Sequence, residues 1–179
     1  MFRTQMASQH SFAMIPRPDV PRSTYMLQQG RKQTFNAGDI IPIYCEEILP
    51  GDHFQGESTM FARLATPITA VLDNAELETH FFFVPNRILW EHWEDFIGGG
   101  NYSIPTIDAY GPANSLYNVT GLGDQFGLPT AGQITTTLVN TINALPFRAY
   151  NKIFNEWYRD QNLVNALTEI TGDGPDAAA

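Results

Sequence analysis

The chain has 179 residues, of which 43% are apolar, 12% aromatic and 16% charged, and its formal net charge is −9. A single cysteine, Cys45, excludes an intrachain disulfide and fits a reducing compartment. No stretch approaches about 18 consecutive apolar residues, so the pattern offers no membrane span, and residues 1–12 lack the apolar core of a secretory leader.

The length suits one domain that buries roughly 70% of its extended surface. The charged fraction lies below the usual level of about 25%, which points to a surface hidden against partners or to long neutral loops. Charge is also uneven along the chain. Residues 1–32 hold five basic side chains (Arg3, Arg17, Arg22, Arg31 and Lys32) and one acidic side chain, Asp19. Residues 33–179 hold five basic and eighteen acidic side chains. A basic arm on an acidic body marks a segment that meets nucleic acid or an acidic neighbour.

Residues 1–33 are predicted to form this extended arm. Pro16, Pro18 and Pro21 bias the residues before them away from helix. Phe12, Met14 and Ile15 supply apolar anchors, with Arg17 and Arg22 facing outward. If the arginines and Lys32 neutralise phosphates, Phe12 and Tyr25 are placed to stack on bases. The competing reading pairs Arg17 and Arg22 with acidic residues of a neighbouring subunit.

Residues 34–97 read as strands plus a short helix. Phe35, Ile40, Ile41, Ile43, Tyr44 and Ile48 favour a strand over Thr34–Leu49, in which Cys45 is expected to be a small buried side chain. Pro50-Gly51-Asp52 is a turn signal. Glu57–Ala65 alternates as a second strand, and Ile68–Asp73 leads toward a third. In Leu77–Val84, Phe81 and Phe83 share one face while Phe82 lies on the other with Glu78 and His80. Phe82 therefore calls for a second apolar surface, because exposing the triplet forgoes about 1.5–3 kcal/mol for each ring. Pro85 stops this strand. A short helix is expected from about Ile88, with Leu89, Trp90, Trp93 and Phe96 near helical spacing, ended by Gly98-Gly99-Gly100. Three or four turn-separated strands favour an antiparallel sandwich over βαβ units.

Residues 98–143 are rich in Gly, Asn, Thr, Ser and Pro, and form an insertion loop far longer than most. Tyr102, Tyr110, Tyr117 and Phe126 argue that this loop is ordered and packs on something. Residues 144–165 give the clearest helix, with Pro146 suited to its first turn. Phe147, Tyr150, Ile153, Phe154, Trp157 and Tyr158 form its apolar stripe, and Arg148, Lys152, Asn155, Glu156 and Arg159 occupy the other side. The aromatics of the triplet, of the first helix (Trp90, Trp93) and of this stripe are packing or interface residues. Residues 166–179 read as a loop. With no closing strand after them, the chain is expected to be the N-terminal portion of a longer protein.

No catalytic, metal or cofactor constellation stands out. His10, His53, His80 and His92 are scattered, Glu91-His92 and Glu94-Asp95 do not converge on a helix, and the triple glycine follows a helix where a phosphate cradle precedes one. No serine lies in a nucleophile elbow. An enzyme is therefore not expected. A ligand- or carbohydrate-binding β-sandwich module, with the Tyr-rich loop 102–126 as its binding face, is the alternative function read from the residues.

Several segments resemble one family in the same order along the chain. FAMIPRPDVPRS (Phe12–Ser23), YCEEILPGD (Tyr44–Asp52), FARLATP (Phe61–Pro67), HFFFVPNRILWEHWEDF (His80–Phe96) and LPFRAYNKIFNEWYRDQNL (Leu145–Leu163) are similar to gokushovirus major capsid proteins, the shell proteins of small single-stranded DNA bacteriophages of the microvirus group. The likeness spans most of residues 12–165 and is weakest in 98–132. It implies a mainly β fold, the viral jelly-roll sandwich, with long inserted loops and two helices. Only the N-terminal strands would be present here. It also implies self-assembly into an icosahedral shell in the bacterial host cytoplasm. The implied partners are further copies of the chain, the single-stranded DNA genome and minor virion proteins, with no enzymatic activity, no cofactor and no membrane.

Overall fold

The computed structural model describes Pro21 and residues 23–111, 115–130, 132–134 and 136–177. The chain divides into two units, residues 1–32 and 33–179. In the first, Pro21 and residues 23–32 carry no regular secondary structure, and Tyr25 and Met26 stand exposed. Arg3, Phe12, Met14, Ile15, Arg17 and Arg22 lie outside the described residues.

The second unit is built on short elements. Helix α1 (Asn86–Leu89) and helix α2 (Trp93–Ile97) are separated by a break at Trp90, whose extended backbone ends the first helix. The single helix expected from Ile88 is therefore two. Pro85 sets the entry to α1, and Gly98-Gly99-Gly100 closes α2, with Gly99 at φ 89°. A 3-10 turn (Ser115–Tyr117) and helix α3 (Leu122–Gln125) follow. Strands β1 (Ala109–Tyr110) and β2 (Leu138–Val139) pair antiparallel, Ala109 opposite Val139 and Tyr110 opposite Leu138. The longest element is α4 (Leu145–Ile153), with Pro146 in its first turn where a missing N–H costs nothing, and it runs into a π-helical turn at Phe154–Tyr158. The helical residues thus end at Tyr158, short of the expected Leu163, as Arg159 turns to extended backbone.

The expected sandwich is not formed within this chain. Among the described residues, β1 and β2 make the one sheet, and no ladder includes Thr34–Leu49, Glu57–Ala65 or Leu77–Val84. A strand needs a neighbour to take its N–H and C=O groups, and the unit supplies none to these segments. Their turns do form: Asp52 N–H donates to the Leu49 carbonyl at 3.0 Å, and the Asp52 carboxylate accepts from Leu49 N–H at 3.1 Å. Without a facing layer, most of their large apolar side chains remain in water. Phe61 is 89% exposed, Phe81 76% and Phe83 77%. Cys45, expected to be buried, is exposed for the same reason.

Burial concentrates around α4. Leu89, Trp90 and Leu145 form one core, with Val84, Trp93, Phe96 and Ala149 against it. Ile107, Ala144 and Phe147 form a second core with Leu116, Leu122, Phe126, Leu128 and Ile142. The long loop therefore folds onto the helix. Its own interior is tight. A Cβ at Gly123 would meet the Leu116 carbonyl oxygen and the Tyr110 hydroxyl, so only glycine lets α3 close on β1.

Candidate assembly interface

Three aromatic groups surround α4, and they face different ways. Trp90 is fully buried, with Trp93 at 6.3 Å and Phe96 at 5.4 Å between ring centroids. Phe147 is buried against Phe126 at 4.8 Å, and Tyr150, half-buried, donates its hydroxyl to the Ile40 carbonyl at 2.9 Å. Phe154 is half-buried at the start of the π turn. The third group is outward. Phe82 meets Trp157 at 5.6 Å and Tyr158 at 6.0 Å, and His80 stacks on Tyr158 at 5.8 Å while sharing a hydrogen bond with its hydroxyl. Trp157 and Tyr158 both lie in the π turn, the wider i→i+5 winding in which helices often place functional side chains. Trp157 nevertheless stays 70% exposed, and Phe81 and Phe83, on either side of Phe82 in sequence, are open to water. Phe82, Phe83, Ile88, Ile153 and Trp157 line a shallow groove whose rim holds the Lys152–Glu156 ion pair at 2.7 Å.

Inside, the polar ordering of this region comes from residues that the sequence reading set on the wet side of α4 or in a loop. Arg148 is buried. Its guanidinium donates to both oxygens of the buried Asp176 carboxylate at 2.8 and 2.6 Å, to the Leu89 carbonyl at 3.0 Å and to the Gly172 carbonyl at 2.9 Å. Asn155, also buried, donates to the Leu167 carbonyl and the Glu169 carboxylate and accepts from Leu167 N–H. Asp173 accepts from the Trp90 indole N–H at 2.6 Å and shares a hydrogen bond with His92 at 2.9 Å. These bonds hold the Asp173 carboxyl below its ordinary range, the indole contributing most and His92 next. His92 in turn stacks on Tyr102 at 4.3 Å. No sequence signal marks these pairings, which join positions up to eighty-three residues apart.

Of the basic residues singled out in the arm, Arg31 and Lys32 are described, and both are exposed. Tyr110 and Tyr117 of the long loop are buried, with Tyr110 donating to the Pro129 carbonyl at 2.8 Å and Tyr117 to the Ile134 carbonyl. These two aromatics are spent inside the loop and do not form the sugar-stacking face of the alternative reading. Among the described residues, no group of three or more His, Cys, Asp or Glu is placed to hold a metal ion.

Residues 13–178 match the family model described as capsid protein (F protein). The chain belongs to that capsid family. It is 45% identical over 176 residues to capsid protein VP1 of Bdellovibrio phage phiMH2K, a match covering 94% of this chain and 32% of that protein. To capsid protein VP1 of Chlamydia phage 1 it is 39% identical, covering 90% of this chain and 28% of the relative. To capsid protein VP1 of Spiroplasma virus 4 it is 35% identical, covering 86% and 28%. The resemblance to gokushovirus capsid proteins drawn from the five motifs therefore holds. The chain spans about a third of the length of the curated relatives it matches. The aromatic groups, the Arg148 core and the long loop all fall within the residues that match the family.

Proposed function

We propose that this chain acts as the structural shell protein of a small icosahedral single-stranded DNA bacteriophage, with no catalytic role. The observation that carries this reading is the match of residues 13–178 to the capsid family. The surface of the second unit supports it, because Phe61, Phe81, Phe83 and Trp157 lie open to water, as side chains covered on assembly do. In this reading residues 34–97 contribute strands to a viral jelly roll whose pairing is completed outside this chain. The exposed triplet, Trp157 and the groove beside them make contacts between subunits. The arm 1–33, with Arg3, Arg17, Arg22, Arg31 and Lys32, lies along the inner side against the DNA genome or a neighbouring copy. The insertion 98–143 packs on the helix 144–165, and residues 166–179 close over both. Other copies of the protein and minor virion proteins are the partners, and assembly takes place in the host cytoplasm.

The test is the particle mass of natively produced material by analytical ultracentrifugation, with electron microscopy of the same fraction. Uniform icosahedral shells are the expected result. A monodisperse 20 kDa monomer with one cooperative melt overturns the reading.

A further inference from the structure

We propose that residues 168–176 form an acid-releasable strap over the Trp90 core. The segment was expected to be a plain loop, yet it is stitched to α4, to the π turn and to residues 90–92 between α1 and α2. The Thr168 carbonyl accepts from Asn151, and the Glu169 carboxylate takes Asn155 and Lys152 of α4. The Thr171 carbonyl accepts from Glu91 N–H, and the Thr171 hydroxyl donates to the Glu91 carboxylate at 2.7 Å. Asp173 takes Trp90 and His92 between α1 and α2. Asp176 bonds through its backbone to Thr106 and Asp108 and through its carboxylate to Arg148.

Arg148 anchors the far end of the strap. Three of its four hydrogen bonds end there, two on Asp176 and one on Gly172, and the fourth ends on Leu89 of α1. Release at Gly172 and Asp176 takes three acceptors from one buried guanidinium, so these contacts open together or not at all.

The trigger is protonation of Glu169 and Asp173, both held by side chains of the elements around them. Glu169 faces Lys152, itself paired with Glu156, and its carboxyl is held low chiefly by the Asn155 amide and then by Lys152. Asp173 is held low by Trp90 and then His92, with Arg148 close by. Asp176 faces Arg148, and the Asp108 backbone reaches it from the other side. A carboxylate depressed in the folded state stabilises the closed strap above its ordinary value, 4.5 for Glu169 and 3.8 for Asp173, and that stabilisation is lost as the pH falls through the depressed values. The strap belongs to the chain's own fold and holds whether or not the protein builds a shell.

Residue-resolved hydrogen exchange on the protein as isolated, stepped from neutral pH to about pH 3, tests the strap. The amides of Glu91, Asp108 and Asp176 are bonded across it, whereas the Arg148 amide is bonded within α4 to Ala144. The expected result is a fall of at least about tenfold in protection at the first three, at a pH where the Arg148 amide is still protected. The Glu169→Gln, Asp173→Asn protein should lose most of this acid step, and Asp173→Asn alone, at a part-exposed side chain, should lose part of it. Loss of protection at all four amides together, or one pH profile shared by wild type and both variants, overturns the proposal.

Discussion

Arg148 is the residue on which this unit turns. Helical spacing alone assigns it to the solvent face, opposite the aromatic stripe, yet it is 5% exposed. Its planar fork suits two carboxylate oxygens and two carbonyls at once, which a lysine cannot serve. Arg148→Ala is expected to destabilise the chain by about 3–5 kcal/mol, since it strands the buried Asp176 carboxylate. The paired change Arg148→Met with Asp176→Leu removes both charges and should cost far less. Denaturant unfolding of Arg148→Met, Asp176→Leu and the double, read as a cycle, checks this. Gly123 is a second decisive position. Gly123→Ala forces a Cβ onto the Tyr110 hydroxyl at 2.7 Å, an overpacking expected to cost about 1–3 kcal/mol, measured as a lowered melting temperature.

At the scale of elements, α4 and its π turn organise their surroundings through Asn155. This side chain satisfies the Leu167 N–H, the Leu167 carbonyl and the Glu169 carboxylate. Asn155→Ala leaves the two backbone groups short of partners and should cost about 1–3 kcal/mol, with exchange protection lost first at Leu167. Asn155→Asp keeps the acceptor for Leu167 N–H but sets a carboxylate against Glu169, so it should not restore stability. The helix itself was legible in the sequence, because Phe147, Tyr150 and Phe154 recur at helical spacing around Pro146. The burial of Arg148 and Asn155 was not, since it depends on residues 166–177, whose Gly, Pro and Asp carry no periodicity. The alternation expected for Leu77–Val84 called for a second apolar surface at Phe82, and Phe82 does meet Trp157 and Tyr158. Which rings supply that surface was not readable, because the contact joins segments more than seventy residues apart.

At the scale of the whole molecule, two quantities point outward: charge and surface. If the arm carries DNA contacts, log affinity for single-stranded DNA falls with log salt by roughly 0.7 per phosphate neutralised. Replacing Arg31 and Lys32 with Gln should then flatten a titration of affinity against salt by roughly twice that. An unchanged slope assigns these side chains to a neighbouring subunit.

Exposed rings set the stronger expectation. Phe81 is 76% exposed and Phe83 77%. They add little to the unit that carries them, and Phe81→Ser or Phe83→Ser should shift its unfolding free energy by only about 0.5 kcal/mol. In an assembly that covers them, each ring contributes about 1.5–3 kcal/mol, so each change should raise the concentration needed for assembly by about tenfold or more. Light scattering against protein concentration reads that threshold, and urea unfolding reads the stability. A shifted threshold with unchanged unfolding assigns the rings to contacts between chains. The opposite pattern assigns them to a core formed within one protein.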